Sequence, residues 1–159
     1  MIRSCIALAT LLAVGSPAFF AAMPVRAADH KPASSIPAAA LIQPAALAAQ
    51  LKDGAGAKPL LLQVGFRKLY DQAHIPGSVY AGPAGTPEGI EVLHTALSDV
   101  AHDRSVVLYC GCCPWSRCPN VAAAYDELVS QGFTAVKVLY IAENFGADWV
   151  EKGYPVEKP

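Results

Sequence analysis

The sequence predicts an α/β domain of three layers, with a mostly parallel central sheet and helices on both faces. Three observations support this fold class. Apolar runs of strand length alternate with amphipathic stretches of helix length along the chain. The run over 60–64 is almost continuously apolar, which is typical of a parallel strand covered on both faces. A cysteine-rich loop follows the predicted strand over 105–109, and sheets of this class bind ligands beyond the carboxyl ends of their strands.

The N-terminal segment predicts export from the cytoplasm. Arg3 precedes an apolar run, and small residues around Ala27 fit a cleavage site before Ala28, so residues 1–27 are interpreted as a signal peptide. Its removal would leave no stable membrane anchor and would place the protein in the periplasm or outside the cell. The Pro-, Ser- and Ala-rich residues 28–43 predict a flexible leader. Residues 44–159 then form the single predicted domain.

The elements of the domain follow from local signals. The predicted order is a helix from Pro44, a strand over 60–64, helical turns over 66–73, a strand over 78–81, a helix after Thr86, a strand over 105–109, a helix from Pro119, a strand within 133–140 and a last helix near Asn144. The start after Thr86 is the clearest, because a hydroxyl cap precedes a proline and an acid. In the helix from Pro119, one apolar stripe is predicted, which consists of Val121, Ala124, Tyr125, Leu128 and Val129.

The loop between the predicted strand and the helix from Pro119 carries four cysteines, Cys110, Cys112, Cys113 and Cys118. The N-terminus of a helix offers free N–H groups and a positive dipole end, which lower the pKa of a nearby thiol and make it a nucleophile. Cys110 comes directly after the strand and is the predicted nucleophile. The competing interpretation is a buried structural thiol at a strand end.

The remaining loop residues leave several interpretations open. The guanidinium of Arg117 is predicted to hold an anionic donor, since its forked donors match paired oxygens. Cys112, Cys113 and Cys118 are interpreted as accessory or resolving thiols that relay sulfur. They are also compatible with a local disulfide. With Cys110, all four thiolates suit copper or zinc, although no nearby histidine completes a familiar zinc spacing.

The overall composition limits the classes of partner that the protein is expected to bind. The formal net charge is −1, and no basic stripe is present, so nucleic acid is not expected as a partner. The four closely spaced cysteines cannot connect distant elements, which excludes a disulfide framework of the small secreted type. The loop therefore predicts local cysteine chemistry in an oxidising compartment.

Three motifs resemble those of the rhodanese-like domain family. The segment 61–64, followed by His74-Ile75-Pro76-Gly77-Ser78, is similar to the family's first strand and "GHIPGA" turn. The segment 106–110 is similar to the strand that delivers the catalytic cysteine, and 149–156 to the family's C-terminal "W…GyPV" motif. Together they span most of the chain from about Pro44 to Pro159.

The resemblance implies a sulfurtransferase that holds sulfane sulfur as a persulfide on Cys110 and passes it to a thiophilic acceptor. It implies a small sulfur donor or a thiol or redox protein as partner, and no cofactor. The sequence departs from the family pattern at three places. Gln63 and Gly65 replace the usual Asp and Arg, and Arg117 comes later after Cys110 than in the usual loop. The alternative function is a thiolate metal-binding or redox module on a rhodanese scaffold.

Overall fold

Five parallel strands form the centre of the molecule. The computed structural model of the protein describes residues 36–53 and 57–158. The strands are β1 (Leu41–Ile42), β2 (Leu60–Gln63), β3 (Val79–Tyr80), β4 (Val106–Tyr109) and β5 (Val136–Leu139). Their order across the sheet is β1-β5-β4-β2-β3, and every pairing is parallel. β4 lies at the centre and all four of its residues are buried, because helices cover the sheet on both faces. The predicted fold class is confirmed.

Helices pack on both faces of the sheet. They are α1 (Pro44–Lys52), α2 (Arg67–Gln72), α3 (Pro87–Leu97) and α4 (Pro119–Ser130). One apolar cluster joins α3 and α4 to the sheet and includes Leu93, Leu128 and Leu108. The second cluster, on the opposite face, includes Leu47 of α1 and Trp149. Successive residues of β4 point to opposite faces, so Leu108 contributes to the first cluster and Tyr109 to the second.

The helix starts follow the sequence signals. Thr86 precedes α3, and its Oγ1 accepts a hydrogen bond of 3.1 Å from the Gly89 N–H, as the cap pattern predicts. α4 begins with Pro119 immediately after Cys118. In the apolar stripe of α4, Val121, Ala124 and Leu128 are buried and Tyr125 is partly buried, whereas Val129 is 49% exposed. Val129 follows Leu128 directly and is therefore rotated by about 100° on the helix, away from the sheet.

The C-terminal segment closes the second face of the sheet. The predicted last helix is a short π-helical segment, Gly146–Val150, and Asn144 Oδ1 accepts a hydrogen bond from the Ala147 N–H at 3.0 Å. Trp149 is fully buried and donates its indole N–H to the Pro155 carbonyl at 2.8 Å. Within the described ranges, each helix falls short of the length and apolar character that a membrane span requires.

The predicted boundary of the domain at residue 44 requires a correction. Ile36 is only 4% exposed and joins the first apolar cluster. Leu41 and Ile42 form β1 and pair with Val138 and Leu139 of β5. The prediction of a flexible leader is therefore wrong for residues 36–43, because pairing with a distant strand orders a segment whose own composition favours no structure. The predicted signal peptide, 1–27, and the rest of the leader, 28–35, lie outside the described residues.

Candidate active site

The loop 110–118 starts at the carboxyl end of the central strand. Cys110 follows β4 directly, and Gly111 adopts a φ of +95°, which a side chain rarely tolerates. Phe145 packs close to Gly111, since a Cβ atom on Gly111 would lie 2.8 Å from the Phe145 Cβ. The Phe145 N–H donates to the Gly111 carbonyl at 3.0 Å, and the Trp115 N–H donates to the Ile141 carbonyl at 2.8 Å. The loop is thus attached at two points to the segment that follows β5.

The four cysteines of this loop form one group of free thiols. Cys110 and Cys118 are buried, Cys112 is exposed and Cys113 is partly buried. The sulfur of Cys112 lies 3.3 Å from that of Cys110 and 3.2 Å from that of Cys113. The sulfurs of Cys110, Cys112 and Cys118 all lie within 4.8 Å of one another. The structure therefore brings together the predicted nucleophile and its predicted accessory thiols, in an order that runs from the interior to the surface.

Cys110 is the thiol of the group that ionises first. Hydrogen bonds from the Cys112 and Cys118 thiols lower the pKa of Cys110 to about 4, against the opposing effect of burial. The Cys112 N–H and the Asn120 side chain contribute further. Asn120 Nδ2 donates to the Cys110 sulfur at 3.5 Å. Several donors thus converge on one sulfur. Most are side chains, whereas the sequence predicted backbone N–H groups at the helix N-terminus, of which the Cys112 N–H is the contributor from the loop.

The neighbouring thiols remain protonated. The hydrogen bond to the Cys110 sulfur raises the pKa of Cys112 and that of Cys118 above the usual value for cysteine. Burial raises the pKa of Cys113, and the charge of Arg117 acts in the opposite direction. The first negative charge of the group resides on Cys110, and the thiols of Cys112 and Cys118 donate hydrogen bonds to it.

Two buried amide side chains hold the site in place, and sequence reasoning did not assign either of them a role. Gln63, at the end of β2, donates from Nε2 to the Cys110 carbonyl at 2.8 Å and accepts from the Gly65 N–H at 3.2 Å. Asn120, in the first turn of α4, accepts at Oδ1 from the Gly85 N–H at 2.8 Å while it donates to Cys110. One sequence signal could have identified Asn120: it is a polar residue directly after Pro119, which begins α4.

Gly65 explains one departure from the family pattern. A Cβ atom at this position would lie 2.6 Å from the Cys110 sulfur, which is closer than non-bonded atoms approach. Any side chain at this position, including an arginine, would therefore displace the Cys110 sulfur from its present position. The inward position of that sulfur requires glycine at 65.

A cavity of about 540 Å³ opens beyond the carboxyl ends of β2 and β4. Cys110 and Cys112 are part of its wall, together with Gln63 and Phe145. This is the position at which sheets of this class bind ligands. The volume lies within the range of small-molecule sites in proteins.

Arg117 lies apart from this cavity. Arg117 is exposed and does not line the cavity, and its positive charge acts to lower the pKa of Cys113. Its backbone N–H closes a short turn by donating to the Pro114 carbonyl at 3.0 Å. The structure therefore does not bring Arg117 to the position of an anion holder beside Cys110. Cys113 and Cys118 also lie outside the wall of the cavity.

The fold and the site together define a class of protein. A parallel α/β sheet presents a buried cysteine at the carboxyl end of its central strand, and several hydrogen-bond donors surround its sulfur. Residues 44–141 match the sequence pattern of the rhodanese-like domain. The chain therefore belongs to the rhodanese-like domain family, and the predicted resemblance is confirmed. This family gives the chain a sulfurtransferase-like scaffold.

Solved structures show the same fold. The crystal structure of the Alr3790 protein from Anabaena sp. matches with a TM-score of 0.58 and a sequence identity of 24%. The match covers 74% of this chain and 82% of that one. The solution structure of the rhodanese-like domain of the same protein is 24% identical, with a TM-score of 0.55 over 76% and 80%. The BH2092 protein from Bacillus halodurans is 20% identical, with a TM-score of 0.57 over 74% and 75%. No curated protein matches the chain.

Proposed function

We propose that the protein is a sulfurtransferase that carries sulfane sulfur as a persulfide on Cys110 and passes it to a thiophilic acceptor. One observation supports this function most strongly: the sulfur of Cys110 receives hydrogen bonds from two thiols, a backbone N–H and Asn120 at the wall of a cavity. Such a sulfur is a thiolate at neutral pH and therefore a nucleophile.

In the first step, the Cys110 thiolate attacks the outer sulfur of the donor. A sulfur–sulfur bond forms on Cys110, and the bond between the outer sulfur and the rest of the donor breaks. The rest of the donor leaves with the electron pair of that bond, and the outer sulfur stays on Cys110. The negative charge moves to the terminal sulfur of the Cys110 persulfide, which the donors around Cys110 can also stabilise.

The order of the thiols suggests how the sulfur leaves the site. Cys112, 3.3 Å from Cys110, attacks the terminal sulfur of the persulfide. The bond to Cys110 breaks, Cys110 returns to its thiolate, and the proton of the Cys112 thiol moves to the transferred sulfur. Cys112 then carries the persulfide at an exposed position, with Cys113 3.2 Å away. A small thiol, or a thiol or redox protein, takes the sulfur from there.

The function is tested by mass spectrometry of the reduced protein after incubation with a sulfane-sulfur donor. The wild type should gain the mass of one sulfur atom and lose it on treatment with a reductant. Cys110→Ala should gain none, whereas Cys113→Ala, with its thiol outside the cavity wall, should still gain it. Sulfur that is found on Cys113 in the Cys110→Ala variant would contradict the assignment of the nucleophile.

A compartment outside the cytoplasm is part of the proposal. The sequence pattern of residues 1–27 supports cleavage before Ala28 and a periplasmic or secreted protein. N-terminal sequencing of the protein from its native source should return a start near Ala28. A start at Met1 or Ile2 would remove the argument for an oxidising compartment.

A second candidate function is thiolate metal binding. The sulfurs of Cys110, Cys112 and Cys118 lie within 4.8 Å of one another, while Cys113 is not part of this group. Three thiolates suit Cu(I), whereas structural zinc sites usually have four ligands. Metal analysis of protein purified without chelators distinguishes the candidates: stoichiometric copper that is lost in Cys118→Ala would support the metal site.

A further inference from the structure

The cavity beside Cys110 has apolar walls and lacks a cation. Leu69, Ala73, Phe145 and Val150 supply apolar surface around the thiol. Among the described residues that line the cavity, none is a lysine, an arginine or a histidine. Lys68 and Lys152 adjoin wall residues in the sequence, but both are exposed and neither lines the cavity. The cavity therefore offers little compensation to an anion that leaves water.

The charged groups that do line the cavity are negative. Glu151 lies in the wall and is exposed, and Cys110 forms the inner part of the site. A small dianion such as thiosulfate would be repelled by this carboxylate and by the thiolate of Cys110, with no cation in the described wall of the cavity to compensate. The same arrangement is favourable for an apolar group, which gains from leaving water, and for a cation that approaches Glu151.

We propose that the sulfur donor of this site is an organic persulfide, R–S–SH, whose carbon group is apolar or carries a positive charge. This inference rests on the proposed function of Cys110. The carbon group lies against Phe145 and Val150, and the outer sulfur points to Cys110. The Cys110 thiolate attacks the outer sulfur and the sulfur–sulfur bond of the donor breaks. The leaving R–S⁻ takes the proton of the persulfide, so that the products are the Cys110 persulfide anion and the thiol R–SH.

Glu151 is the residue that selects the charge of the carbon group. It is exposed, so its effect on a charged donor is screened by water and amounts to about 1.5- to 5-fold in rate. Glu151→Gln should reduce the preference for a cationic donor over an anionic one by this factor, and Glu151→Lys should reduce it further. Glu91, an exposed acid on α3 outside the cavity wall, provides the matched control as Glu91→Gln.

The experiment compares four donors on the reduced protein: thiosulfate and the persulfides of cysteamine, 2-mercaptoethanol and 3-mercaptopropionate, which are similar in size and differ in charge. The rate of sulfur loading on Cys110 is followed by rapid quenching and mass spectrometry. We expect the persulfides of cysteamine and 2-mercaptoethanol, whose carbon groups are cationic and uncharged, to load fastest. The persulfide of 3-mercaptopropionate, whose carbon group carries a carboxylate, should load more slowly, and thiosulfate should load slowest. High salt should reduce the difference between the charged persulfides.

The outcomes separate this inference from the proposed function. If no donor loads Cys110, the proposed function fails. If Cys110 loads but thiosulfate or the carboxylate persulfide is the fastest donor, the function stands and the donor class is wrong. An unchanged ratio of cationic to anionic rates in both Glu151→Gln and Glu151→Lys would exclude Glu151 as the selecting residue.

Discussion

The sulfur atoms of Cys110 and Cys112 lie 3.3 Å apart, and the hydrogen bond between them is the largest single cause that lowers the pKa of Cys110. The same contact raises the pKa of Cys112. The buried thiol of Cys110 therefore ionises before the exposed thiol of Cys112, which keeps its proton. The pKa of Cys110 should therefore change when one of its hydrogen-bond donors is removed.

Replacement of Cys112 by alanine should raise the pKa of Cys110. The variant loses the thiol that contributes most to stabilising the thiolate, while the Cys118 thiol and Asn120 remain. The measurement is the rate of alkylation of Cys110 against pH, determined peptide by peptide on the reduced protein. Since Cys110 is buried, the midpoint of the profile is the readout and not the absolute rate. Cys113→Ala should leave the midpoint near that of the wild type; a wild-type midpoint near 8.5, the ordinary value, would contradict a stabilised thiolate.

The thiolate of Cys110 should also make stability depend on pH. Its pKa is lower in the folded state than in the unfolded chain, so its contribution is fully present above about pH 8.5. This contribution is lost as the pH falls through the folded value of about 4. The free energy of unfolding of the wild type, relative to Cys110→Ala, should rise between these values. Above pH 9 the raised pKa values of Cys112 and Cys118 act in the opposite direction.

Urea denaturation in the presence of a reductant checks this dependence at several pH values between 5 and 10. The comparison of wild type with Cys110→Ala cancels the titration of shared groups whose pKa does not depend on Cys110. The pKa values of Cys112 and Cys118 do depend on Cys110, so the comparison is interpreted between pH 5 and pH 8, below the range in which these two thiols titrate. A difference in the free energy of unfolding that stays constant from pH 5 to pH 8 would show that Cys110 has the same pKa in both states.

Gly65→Ala should displace the Cys110 sulfur and abolish or strongly slow sulfur loading. The added Cβ atom would lie 2.6 Å from that sulfur, so the thiol must leave its hydrogen-bonded position. Overpacking of this kind costs about 1–3 kcal/mol of stability. In a double-mutant cycle, the cost of Gly65→Ala should be smaller in a Cys110→Ala background, because the clash with sulfur is absent. Equal costs in both backgrounds would mean that the sulfur is not what restricts position 65.

Local sequence signals predicted those parts of the molecule that depend on local structure. The helix start at Thr86, the strand before Cys110 and the proline start of α4 have side-chain patterns that act over a few residues. β1 was missed because Leu41 and Ile42 become a strand only through pairing with β5, about a hundred residues away in sequence. Tertiary pairing of this kind leaves no mark on a two-residue segment.

The candidate site shows the same division. The cysteines were identified from their spacing, and the position of Cys110 after a strand was the reason why it was predicted to be the nucleophile. The role of Gln63 depends on a hydrogen bond to a carbonyl 47 residues away, and that of Asn120 on contacts with two other segments. Arg117 was expected beside Cys110 because of its closeness in the loop. The turn from Pro114 to Arg117 instead leaves its side chain exposed.

Asn120 should act as a positioning residue for the thiolate and not only as part of the core. Its Nδ2 donates to the Cys110 sulfur at 3.5 Å, and its Oδ1 accepts from the Gly85 N–H at 2.8 Å. Asn120→Asp retains an oxygen for Gly85 but replaces the donor by a negative group. It should therefore raise the pKa of Cys110 more than Asn120→Ala, which only removes the donor.

The alkylation profile of Cys110 distinguishes these two variants from a structural effect. A structural role would make Asn120→Ala the more damaging change, since the alanine also removes the side-chain oxygen that accepts from the Gly85 N–H. An electrostatic role predicts that Asn120→Asp has the higher midpoint and the slower sulfur loading at pH 6, even if its thermal stability is closer to that of the wild type. If the midpoints of the two variants coincide with that of the wild type, the amide of Asn120 does not stabilise the thiolate.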